Sequence, residues 1–162
     1  MKFKQKHDTT IWTMNNQNLG NLKKKTAPAA TEAERSVLGC FLLEKDSIIK
    51  VVDLIRPEDF YHDHHRFVYE VILELFQRSE PIDLVTVATK LQSKNKLELI
   101  GGPEFLAEIQ NEVPTATHVF QYAQLVKHRA TLRNLIAAGQ EITALGYKEE
   151  QSIEELLEEA EK

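Results

Sequence analysis

From Thr117 to Leu145 the chain reads THVFQYAQLVKHRATLRNLIAAGQEITAL, 29 residues without a proline and interrupted only by Gly139. Val119, Tyr122, Ala123, Val126, Ala130, Leu132, Leu135, Ile136, Ile142 and Leu145 recur along it at close to the helical period, which marks one apolar face. Gly146 is a natural stop for such a helix. Beyond it, Ser152-Ile153-Glu154-Glu155 is a capping-box pattern, and it opens an acidic helix carrying Ile153, Leu156, Leu157 and Ala160. A helix of 29 residues is ~43 Å long at 1.5 Å per residue, more than a compact head of about 100 residues can cover. The reading is therefore a protruding two-helix hairpin. Two helices alone cannot bury both apolar faces, so part of the stripe calls for another surface, and a second copy of the chain is the simplest one. Val119, Tyr122, Val126, Leu132, Leu135, Ile136, Leu156 and Leu157 are the candidates for packing within and between hairpins.

Toward the N-terminus, shorter helical segments are set off by caps and prolines. Thr31-Glu32-Ala33-Glu34 is another capping-box pattern, ahead of Val37, Leu38, Phe41 and Leu42. Asp46 is placed to cap a helix through Ile48, Ile49, Val51, Val52 and Ile55, which Pro57 stops. Asp63 opens a longer one with Phe67, Val68, Val71, Ile72, Leu75 and Phe76 on one face. Asp83 caps a segment through Leu91; its Val85, Thr86 and Val87 are β-branched, but its length and the lack of a partner strand favour a helix. Gly101-Gly102-Pro103 makes a joint with proline at a first helical position, opening a short helix over Pro103–Glu112. The expectation is an all-α chain: a flexible basic arm at 1–27, a compact multi-helix head at 28–114 and the hairpin at 115–162.

Composition narrows the function. The 162 residues suit one domain with an appendage. The net charge of −5 divides unevenly: residues 1–30 carry six lysines against Asp8, or +5, while residues 31–162 hold 14 basic and 24 acidic residues, or −10. A basic arm on an acidic body is not the even basic face of a DNA-binding domain. It reads as a solvated tail, with a nucleic-acid tether or stand-alone adaptor as the alternative. The single cysteine, Cys40, excludes an internal disulfide framework and suits a reducing compartment. No run approaches the ~18 apolar residues needed to span a bilayer.

Motifs for catalysis fail in turn. Lys25-Thr26 resembles the end of a phosphate-binding loop, but Lys24 and Leu19 stand where glycines are required. His62, His64 and His65, with Asp59 and Asp63 nearby, are residue types that bind zinc or nickel. Adjacent His64 and His65 should point different ways on a helix, however, and no distant ligand completes a site. Cys40 lies in an apolar run and reads as core. No nucleophile, base and orienter assemble. The expectation is an interaction module without catalytic, cofactor-binding or metal residues of its own.

A series of blocks carries a family resemblance. Pro28-Ala29-Ala30-Thr31-Glu32-Ala33-Glu34-Arg35-Ser36-Val37-Leu38-Gly39 is followed by Pro57-Glu58-Asp59-Phe60-Tyr61 with His65. Pro81-Ile82-Asp83-Leu84-Val85-Thr86 comes next, then Gly101-Gly102 with Phe105-Leu106 and Val113-Pro114-Thr115-Ala116. Tyr122-Ala123, Leu132-Arg133, Gly146-Tyr147 and Leu156-Leu157 complete the order. Over residues 28–162 the chain resembles the N-terminal domain of DnaB-type bacterial replicative DNA helicases. It departs at Ala30, where the family usually has a capping Asn that Thr31 is placed to replace, and in its long basic arm.

The resemblance implies an all-α head and helical hairpin that assemble into a homo-oligomeric collar, from dimers up to a hexameric ring. It also implies docking of a DnaG-type primase and a helicase loader, in the bacterial cytoplasm at replication forks. Unwinding with ATP and magnesium would belong to an ATPase domain beyond Lys162, and DNA would be gripped mainly there.

Overall fold

The computed structural model describes residues 26–148 and 152–161, and among them there are helices and turns but no strand. Helix α1 spans Thr31–Leu43, α2 Asp63–Gln77, α3 Leu84–Ser93, α4 Gly102–Asn111, α5 Val119–Leu145 and α6 Ile153–Ala160. Short 3₁₀ turns at Lys45–Lys50, Pro57–Asp59, Glu98–Ile100 and Ala116–His118 join them. The expected arm at 1–27 lies almost wholly outside the described residues.

Helix α1 is the centre of the head, packed by α2, α4 and the start of α5. Its Val37, Leu38, Cys40 and Phe41 are completely buried, joined in one core by Ile48, Ile72, Leu75, Leu91, Leu106 and Ile109. The close contact with α4 depends on Gly39: a Cβ there would lie 2.2 Å from the Ile109 carbonyl oxygen and 2.7 Å from Val113 Cγ2. Phe41 and Phe60 flank the ring of Tyr69, whose hydroxyl donates to the Ile55 carbonyl at 3.1 Å. Burial satisfied in this way pushes the Tyr69 hydroxyl up to about 12, and it pushes the Cys40 thiol up to about 11, which leaves a structural rather than a reactive cysteine.

Several local expectations hold. The Asp83 carboxylate accepts from the Thr86 N–H at 2.9 Å and starts α3 through its β-branched residues. Ser152 and Glu155 form their reciprocal capping box at the start of α6. Gly101 and Gly102 take φ of 98° and 78°, left-handed values that glycine adopts without steric cost, and let α4 begin at the proline joint.

Two expectations do not hold. The helix expected after Asp46 is a 3₁₀ segment followed by turns, because Val51 leaves helical geometry at φ −137°. Ile48, Val51 and Ile55 still reach the core, at a spacing such turns share with a helix. The capping box at Thr31 does not form either. Ala30 occupies the cap position with no side-chain hydrogen bond, and Glu34 is turned inward instead.

Candidate interaction surface

Helix α5 is one continuous element in two environments. Val119, Ala123, Val126 and Ala130 are buried against the head at helical spacing. After Ala130 the stripe continues but its cover ends: Leu135 is 69% exposed, Ile136 47% and Ile142 52%. Helix α6 returns alongside, tied by an ion pair of Lys148 with Glu159 at 3.0 Å, and leaves Ile153 and Leu157 exposed. The two helices thus expose apolar side chains as well as glutamates, with Glu154, Glu155, Glu158 and Glu159 all exposed on α6.

The eight candidate residues separate accordingly. Val119 and Val126 are core residues of the head and cannot touch a partner. Tyr122 is half-buried against that core. Leu132 and Leu156 are half-buried, while Leu135, Ile136 and Leu157 are open. The head therefore extends past the expected boundary at 114/115, along α5 as far as Ala130. Pro114 breaks the backbone without ending the packing, because the chain turns at Ala116–His118 and resumes against α1.

Between the two regions lies a polar joint. The Arg133 guanidinium donates to the carbonyl of Pro28 at 2.9 Å and to that of Asp59 at 2.6 Å, and it lies 5.5 Å from the Tyr61 ring centre. One and a half turns earlier, Lys127 Nζ donates to the Asp59 carboxylate at 3.0 and 3.2 Å. Asp59 also accepts from the Arg56 N–H at 2.8 Å, closing its own turn. Pro28, the Pro57–Asp59 turn and α5 are fastened together there. The blocks Pro57–Tyr61 and Leu132-Arg133 pointed to these residues, although no role followed from them.

A second buried network holds the loop before α2 to α1. Glu34 accepts from the Tyr61 N–H at 2.7 Å and from Nδ1 of His65 at 2.7 Å. A carboxylate only accepts, so His65 donates through Nδ1. Burial alone would raise the Glu34 carboxyl; the His65 and backbone donors outweigh it and hold the group below its ordinary range.

The rings of His64 and His65 do not point apart, as adjacency suggested, but meet edge to face at 4.3 Å, with His62 5.2 and 5.1 Å from them. His62 Nε2 is instead 2.9 Å from the Thr31 hydroxyl. Among the described residues no group of three or more histidine, cysteine or acidic side chains could hold a metal ion. No described helix is long and apolar enough to cross a membrane.

Comparison with known proteins gives a consistent match. The sequence profile of the DnaB-like helicase N terminal domain matches residues 26–128. The chain is 39% identical over 141 residues to the replicative DNA helicase DnaC of Bacillus subtilis, and 37% over 139 to the replicative DNA helicase DnaB of Geobacillus stearothermophilus. These alignments cover 87% and 86% of the chain but 31% of each relative, so the chain spans about a third of their length. The crystal structure of the N-terminal domain of DnaB helicase from Mycobacterium tuberculosis superposes with a TM-score of 0.81 at 40% identity, covering 84% of this chain and 96% of that one. A DnaB-like replicative helicase whose structure was described with its interactions with primase superposes at 0.65 with 26% identity, over 81% of this chain and 31% of that one.

Proposed function

Because the chain belongs to the family of DnaB-like helicase N-terminal domains, we propose that it is the collar-forming and partner-docking part of a hexameric replicative DNA helicase. The observation that carries the reading is the change of environment along α5. As far as Ala130 one side of it packs into the core, while Leu135, Ile136 and Ile142, with Leu157 of α6, offer apolar area to another protein surface. In this reading the head is a rigid mount and the hairpin carries the contacts between copies, up to a ring. Docking of primase, with which the solved DnaB-like helicase was described, and of a loader follows from the same membership. Unwinding of duplex DNA with ATP and magnesium, in the cytoplasm at replication forks, is assigned to the larger protein of which such domains form part.

The test is sedimentation of the chain across a range of micromolar concentrations. Dimers or larger rings are expected, and Leu135→Ser combined with Leu157→Ser should return them to monomers. A chain that stays monomeric throughout would remove the hairpin from this role. Salt-sensitive binding of single-stranded DNA that disappears with residues 1–27 would favour the tether reading instead.

A further inference from the structure

The open hairpin face and the N-terminal segment of the same chain have complementary chemistry. Residues 1–25 carry six lysines against one acid, together with Phe3, Ile11, Trp12, Leu19 and Leu22. Helix α6 carries Glu154, Glu155, Glu158 and Glu159 and no cation, beside the exposed Ile153 and Leu157. One segment is cationic with scattered apolar residues; the other surface is anionic with scattered apolar residues.

The structure also fixes where the first segment joins the body. The Pro28 carbonyl is held by Arg133, at 2.9 Å. Ile136, three residues further along α5, lies on the same side of the helix as Arg133, so the arm enters at the near end of the uncovered stripe. From Arg133 to Leu145 is ~18 Å along a helix, whereas 25 residues can extend to ~80 Å. Reach is ample.

We infer that the basic arm, residues 1–25, docks in cis on the acidic and apolar face of the hairpin formed by α5 and α6. Lysines of the arm lie toward the α6 glutamates, and its apolar residues cover part of the Leu135–Ile142 stretch. The arm is then a built-in competitor for any protein that approaches this face. The inference concerns the surface assigned above but does not require copies to pair there.

Trp12 is the single tryptophan of the chain, which makes it a selective reporter. In the full chain its emission should be shifted to shorter wavelength and shielded from acrylamide at nanomolar protein, below the concentrations at which copies pair. Raised salt should weaken the shielding, since the screening length shrinks from about 10 Å at 0.1 M to about 3 Å at 1 M. K23E/K24E/K25E should expose Trp12, and adding E154K/E158K should shield it again; circular dichroism verifies that each variant folds. A solvent-exposed Trp12 in the parent chain overturns the inference, as does shielding indifferent to the charge exchange. Shielding that fades on dilution would place the arm on a second copy and overturns docking in cis. Sedimentation of the same samples reports self-association separately, so either result can fail alone.

Discussion

Glu34 accepts a hydrogen bond from His65, 31 positions away in the chain, at 2.7 Å with both side chains sealed from water. The same carboxylate takes the N–H of Tyr61, so one side chain fixes the segment leading into α2 against α1. Removing one partner of a buried pair leaves the other unsatisfied. Glu34→Ala should cost about 3 kcal/mol, read as a lower urea midpoint at unchanged slope. A loss under about 0.5 kcal/mol would mean the network is not a structural tie.

Acid sensitivity follows from the same group and from Glu74. Hydrogen bonds from Lys94 and Lys90 bring Glu74 down to about 2, and Glu34 also lies below the ordinary 4.5. A carboxyl lowered in the fold stabilises above its unfolded value and loses that contribution as pH falls through its folded one. Stability should therefore be level near neutrality and decline as the pH drops from 4.5 toward 2. Glu34→Gln should flatten part of that decline in thermal midpoints measured against pH; an unchanged acid slope would contradict the assignment.

Gly39 and Gly139 should respond oppositely to alanine. At Gly39 the added carbon meets the Ile109 backbone and Val113, so Gly39→Ala should destabilise by about 3 kcal/mol or prevent folding. At Gly139 it meets nothing within 4 Å, in the exposed part of a helix, and Gly139→Ala should stabilise by about 0.5–1 kcal/mol. Calorimetric midpoints moving in the same direction would refute the packing described for α1 on α4.

The two environments of α5 predict a division of effects. Val126→Ala should lower stability by about 2 kcal/mol by opening a cavity in the head. With residues 1–25 removed, Leu135→Ser should leave stability within about 0.5 kcal/mol, since its side chain is 69% exposed on the described helices. Equal losses in urea unfolding of that shortened chain would show that the head or the hairpin itself covers the distal stripe.

How much of this was legible in the sequence depended on whether the deciding interaction was local. Asp83 and Ser152 cap their own helices three residues away, and both were readable. Glu34 had the right spacing for a local cap, yet His65 and Tyr61 claim it from across the head, and spacing carries no sign of that. Along α5 the apolar period is the same before and after Ala130, so periodicity found the stripe but could not say where the head stops covering it. The Asp46 segment failed for a related reason: turns and helices can send Ile48, Val51 and Ile55 inward at similar spacing. The importance of Arg133 lay in its reach to two backbone carbonyls, whose positions no residue type encodes.

The Arg133 joint offers a further check. Arg133→Ala leaves the Pro28 and Asp59 carbonyls without their donor and should cost about 2 kcal/mol in urea unfolding. Arg129→Ala, an exposed residue one turn earlier on the same side, should change stability by less than about 0.5 kcal/mol. Indistinguishable midpoints would mean the joint carries no tension between head and hairpin.

The continuity of α5 has a mechanical meaning. A helix of 27 residues is ~40 Å long, and this one has its root clamped in the head while its free end carries the turn to α6. It is a cantilever without a hinge residue at the point of emergence, where Arg133 and Lys127 act as stays. A tilt imposed on the tip is passed to α1 as torque instead of being absorbed on the way. Whatever grips the tip therefore also aims the head.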